Sequence, residues 1–116
     1  MLERKIISQF IHNEEFCRKV APYIKPEYFS DKYDKVMVEM CLNFFATYNQ
    51  TPSKDILEID VKNVPGLSDQ DIPKIQSIIR DMEPSDDSIE WLVDSAEKFC
   101  KDKAIFNAVL KSIGIS

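Results

Sequence analysis

Apolar residues recur at helical spacing along almost the whole of this sequence, and most runs are bounded by a residue type that starts or stops a helix. Leu2, Ile6, Ile7, Phe10 and Ile11 define a first helix over 2–11. Asn13 reads as the N-cap of a second, with Glu14 and Glu15 in its first turn, Phe16 and Val20 facing inward and Pro22 ending it. Lys25-Pro26-Glu27-Tyr28-Phe29 is a short turn with Pro26 at a first helical position and two aromatics that need cover. Over 31–48, with Ser30 as cap, the face formed by Tyr33, Val36, Met37, Met40, Cys41, Phe44, Phe45 and Tyr48 is widened by Val38, Leu42 and Ala46. A helix apolar on most sides is covered on most sides, so the core is expected to be built on this one.

Thr51 as cap and Pro52 as first residue open a short helix carrying Ile56, Leu57 and Ile59, and Asn63-Val64-Pro65-Gly66 breaks the chain after it. Ser68-x-x-Asp71 imitates a capping box, with Pro73 moving the helical start to Asp71, and Ile72, Ile75, Ile78, Ile79 and Met82 mark the next helix. Glu83-Pro84 is the corner before the last element. The expected fold is all-α: a small helical head over 1–66 and an antiparallel helical hairpin over 68–114 with a long C-terminal helix.

That last element, 85–114, dominates the pattern. Ser85 reads as its N-cap and Gly114 as its stop, giving a helix of roughly 28 residues and about 42 Å. At about 100° per residue, Ile89, Leu92, Val93, Ala96, Phe99 and Cys100 share one stripe about 120° wide. Beyond Lys103 the stripe moves: Ile105, Phe106, Val109, Leu110 and Ile113 gather on a face turned by roughly 100°, far more than the drift of about 20° per heptad in a straight helix. The shorter preceding helix can cover only the first half, so the second stripe is expected to need another partner. Trp91 falls on neither stripe in this reading and points to the polar side beside Asp94, Ser95 and Lys98, a candidate contact for a partner.

Composition narrows the function. The 116 residues are 44% hydrophobic with two glycines and a formal charge of -5, the make-up of one packed domain. From Ser68 to Glu97, nine acidic residues stand against Lys74 and Arg80, a local charge of -7 that should repel nucleic acid and suit a basic protein surface. Asp86, Asp87, Glu90 and Asp94 form the candidate acidic face. Cys17, Cys41 and Cys100 are too widely spaced for a thiolate metal site and read as reduced thiols of a cytosolic protein. No secretory signal or membrane-spanning run is present in the sequence.

No catalytic site, metal site or cofactor site is expected. Two glycines cannot supply a phosphate-cradling loop, His12 has no ligand at metal spacing, and Ser8, Ser30 and Ser112 lack a neighbouring base. Asp86, Glu90 and Asp94 line up at i, i+4 and i+8, an arrangement better read as a solvated face than as a metal site. Phe99 and Phe106 beside Lys101 and Lys103 read as core stripes in preference to a single-strand stacking platform.

The order of elements carries a resemblance. Glu3 to Phe16, the Lys25-Pro26-Glu27-Tyr28-Phe29 turn leading into an aromatic-rich helix, Thr51-Pro52-Ser53 and a helical hairpin together resemble the N-terminal domain of DnaB-family replicative helicases. Within the family the likeness is to the T-even phage primosome helicases, carried by Tyr28-Phe29, Trp91-Leu92-Val93, Glu97-Lys98-Phe99 and Ala104-Ile105-Phe106-Asn107-Ala108. The resemblance implies a protein-interaction and oligomerisation domain that forms the collar of a hexameric ring through dimeric pairing and docks a primase or a helicase loader. It implies a host bacterial cytoplasm, single-stranded DNA met only through the full-length ring, and no membrane. ATP and Mg would belong to an ATPase domain following this sequence, which ends at Ser116 before any phosphate-binding motif, so this fragment is expected not to be an enzyme. Trp91, Ile105, Phe106, Val109 and Leu110 are the expected interface. The rival reading is a small phage regulatory protein that binds and inhibits a host enzyme.

Overall fold

In the computed structural model, which describes residues 2–114, six α-helices follow one another: α1 (Leu2–His12), α2 (Glu14–Val20), α3 (Lys32–Tyr48), α4 (Lys54–Asp60), α5 (Asp71–Asp81) and α6 (Ile89–Ser112). Short 3-10 turns lie at Pro26–Tyr28 and Val61–Asn63. The all-α class is as the pattern predicts.

Helix starts show which polar residues won the competition to cap. Asn13 caps α2 as expected, its Oδ1 accepting from Phe16 N at 3.0 Å. At α3 the cap is Asp31, not Ser30, because the Asp31 carboxylate reaches both the Tyr33 and Asp34 amides at 2.8 and 3.1 Å. At α4 it is Ser53, not Thr51, its Oγ accepting from Ile56 N. The capping box before α5 forms in full: Ser68 Oγ accepts from Asp71 N at 3.1 Å, and Asp71 Oδ2 accepts from Ser68 N at 3.0 Å. Asp71 also accepts from Tyr33 Oη and pairs with Lys32, each at 3.0 Å, which ties the start of α5 to the start of α3.

The centre of the core is α1 and not α3. Every residue from Ile6 to Ile11 is buried, so α1 is enclosed on all sides over that stretch, and Phe10 meets Phe16 of α2 edge to face at 5.6 Å. α3 is covered only through its first half, where Asp34, Met37, Val38, Met40 and Cys41 are buried. Its last turns run past the head: Tyr48 is 61% exposed and Ala46 is exposed. Arg18 finishes the helix there, donating to Asn49 Oδ1 and O at 2.9 and 3.0 Å, while Asn49 takes the left-handed conformation at φ 55°.

The expected pairing of the last two helices is replaced by another arrangement. α5 packs on α4, on the turn at Val61–Asn63 and on α3, and α6 packs on α2 and on the turn at Pro26–Tyr28. The cause is the connection. The chain between the helices, 82–88, is longer than the Glu83-Pro84 corner suggests, and it is pinned to α1: Ser8 Oγ donates to Glu83 O at 2.6 Å and Lys5 pairs with Asp87 at 2.6 Å. Ser85 is spent on Asp87, accepting from its amide and donating to its carboxylate, so the α6 N-cap falls to Ser88. α6 therefore has 24 residues, about 36 Å, in place of the longer helix expected.

Candidate functional site: the uncovered face of the long helix

The first half of α6 is anchored as its stripe predicts. Leu92, Ala96, Phe99 and Cys100 are buried, and Phe99 lies against Phe29 with ring centroids 5.1 Å apart. After Lys103 most of the large apolar side chains of the helix are left uncovered by the described residues. Ile105 is 64% exposed, Phe106 57%, Val109 52% and Ile113 63%, while Leu110 is half-buried. Four large apolar side chains left in water along about two turns form a strip of the kind found at interaction sites, not the scattered single exposures of ordinary surfaces.

Trp91 lies on the same side of α6 as this strip, separated from it by the polar residues Asp94, Ser95, Lys98 and Asp102. It is 50% exposed, and it precedes Val109 by about five full turns of a continuous helix, so the two project from the same side. This corrects the reading that set Trp91 apart from both stripes. The ring is held from below by Lys5, whose Nζ lies 5.6 Å from its centroid while also pairing with Asp87. Lys5 and the Ser85 hydroxyl hold the Asp87 carboxyl below its ordinary range.

The candidate acidic face is thereby divided. Asp87 is neutralised by Lys5, whereas Asp86, Glu90 and Asp94 are exposed. Asp86 lies in the connection before α6, so it does not continue the helical row of Glu90 and Asp94, and the i, i+4, i+8 alignment does not form. Among the described residues no group of three or more His, Cys, Asp or Glu is placed to hold a metal ion.

Ser8 does have a base nearby, contrary to the sequence reading. Its Oγ is 3.1 Å from His12 Nδ1. The pair is structural. The Ser8 proton is donated to Glu83 O, and His12 Nδ1 lies 2.9 Å from Ser8 O, an acceptor it can satisfy only by carrying hydrogen itself. A nitrogen that donates cannot draw the proton from a hydroxyl. The three cysteines are free and buried; burial pushes the Cys17 and Cys100 thiols up to about 11 and Cys41 higher still, so none is a thiolate at neutral pH.

A second uncovered patch escaped the pattern. The Phe44 and Tyr48 rings meet at 4.7 Å between centroids, tilted by 42°, where α3 leaves the head. A helix apolar on most sides signalled burial, when the aromatic excess at its C-terminal end marked surface. Among the described residues no helix is long and apolar enough to cross a membrane.

No protein-family model matches the chain. It is 27% identical over 110 residues to the DnaB-like replicative helicase of Enterobacteria phage T4, a match that covers 95% of this chain and 23% of the relative's length. The chain is thus similar, along nearly its whole length, to about a quarter of a DnaB-like replicative helicase, the kinship that the order of its elements implied.

Proposed function

We propose that this chain is the collar part of a phage replicative DNA helicase: an interaction and oligomerisation domain that joins subunits of a hexameric ring and docks a primase or a helicase loader. The observation that carries the reading is the strip on α6. Ile105, Phe106, Val109 and Ile113 are held out in water by a rigid helix whose first half is locked into the head, which is costly for an isolated molecule and useful for one that meets its own copies. The half-exposed Trp91, flanked by Glu90 and Asp94, supports docking of a second, basic partner such as primase or loader. ATP hydrolysis, with its Mg, is assigned to the three quarters of such a helicase that this chain does not span.

The test is the solution mass of the chain by sedimentation equilibrium, alone and as the Ile105→Asp, Phe106→Asp double variant. The parent is expected to associate as concentration rises and the variant to stay a single chain with an unchanged helical spectrum. A parent that remains a single chain at millimolar concentration, or a variant that assembles like the parent, contradicts the proposal.

A further inference from the structure

On the head, away from the strip on α6, an apolar groove of about 350 Å³ lies between one face of α3 and the segment that closes α4. Spacing along α3 shapes it. Val36, Met40, Phe44 and Tyr48 recur every four residues and so form one apolar row, with Met40 buried, Val36 and Phe44 half-buried and Tyr48 exposed. Beside it runs a second row at the same spacing, Glu39, Asn43 and Thr47, all exposed. Asp60 and the half-buried Val64 stand on the opposite wall. No residue of α6 lines the groove.

Its charge has one sign. Glu39 and Asp60, one on each wall, are the two charged side chains that line it, and neither has an ion-pair partner among the described residues. Elsewhere the fold neutralises its inward carboxylates: Asp34 by Arg4, Asp71 by Lys32, and Glu58, two residues before Asp60, by Arg80. Two free carboxylates beside an apolar floor repel phosphate and anionic lipid, and they match a partner whose apolar residues are flanked on both sides by Lys or Arg. The form of that partner follows from the rows. Side chains four residues apart make the ridges between which a second helix packs, and Val36 to Tyr48 span about 18 Å, the length of about twelve helical residues.

We infer that the α3 groove docks a cationic amphipathic helix of another protein. Its apolar side chains lie on Val36, Phe44, Tyr48 and Val64, and its basic side chains meet Glu39 along one edge and Asp60 along the other. The Phe44 and Tyr48 rings, tilted against each other, supply the aromatic surface on which such contacts are anchored. The exposed carboxylates make the docking weaken as salt rises. This site is separate from the α6 strip and from Trp91, and it stands whether or not copies of the chain associate.

The test is a fluorescence anisotropy titration with three labelled peptides of about fourteen residues, enough for the span of the groove. One has leucine every three or four positions with lysine on both flanks, the second has glutamate in place of each lysine, and the third is the first scrambled so that no apolar face forms. The full chain carries Ile105→Asp and Phe106→Asp, so that the strip contributes nothing. The lysine helix is expected to bind, and the other two about tenfold more weakly or not at all. Adding Glu39→Lys and Asp60→Lys, or Tyr48→Asp, all at exposed positions, should weaken binding of the lysine helix about tenfold with the helical spectrum and urea midpoint unchanged. Glu90→Lys with Asp94→Lys, the same change of charge on α6, should leave it nearly unaltered. Equal losses from the two charge variants would mean that an acidic chain attracts cations anywhere, and the inference falls. It falls too if the scrambled peptide binds as well as the helix, or if none of the three binds. Should Glu39→Lys and Asp60→Lys in the otherwise unaltered chain abolish the growth of mass with concentration, the groove holds a second copy, which overturns the foreign helix and leaves self-association standing.

Discussion

Asp71 is the most heavily engaged carboxylate in the fold. The Ser68 amide first, then Lys32, then Tyr33 hold it well below the ordinary carboxylate range. Its folded value lies below its unfolded value of about 3.9, so unfolding takes up a proton in acid and the stabilisation present at neutral pH is lost as pH falls below about 5. Asp34 acts the other way, because burial raises it even though Arg4 pairs with it. The parent's slope mixes the two, and the difference between parent and Asp71→Asn isolates one. Urea midpoints measured from pH 7 to pH 3 should show the variant weaker at pH 7 and its loss on acidification shallower. Parallel curves would contradict this role for Asp71.

The helices were legible because each has its own apolar stripe, and α1, α2 and α5 lie within a residue or two of where their stripes place them. Caps were harder to read: Ser30 and Asp31, Thr51 and Ser53, and Ser85 and Ser88 are close rivals in sequence, and only the geometry of the entering chain chooses between them. Least legible was the placement of α6 against α2, which depends on Ser8 and Lys5 holding the connection some eighty residues away in the chain. The turned stripe after Lys103, by contrast, was visible at once, because no helix register can bury both faces against one partner. The N-cap assignment has its own check. Ser88→Ala should cost about 1 kcal/mol in urea unfolding and Ser85→Ala less. The reverse order would mean that the helix begins where the sequence alone suggested.

At the scale of the whole molecule, a head built around α1 holds one long helix by half its length and leaves the other half bare. The candidate site is a surface and not a pocket, and the Ser8 hydroxyl and the three thiols are committed or protonated. The sequence showed the strip but not the cavity along α3, because that cavity is assembled from segments that only the fold brings side by side. The burial of Cys17, Cys41 and Cys100 permits a direct probe, since a thiol introduced on the strip is the one exposed thiol among the described residues. A polarity-sensitive fluorophore placed through Val109→Cys should emit as if in water at high dilution. Its emission should shift to the blue as concentration rises, with the same midpoint as the growth in mass. Blue emission already at limiting dilution would mean that the chain covers its own strip, and water-like emission at every concentration would mean that no second copy ever does.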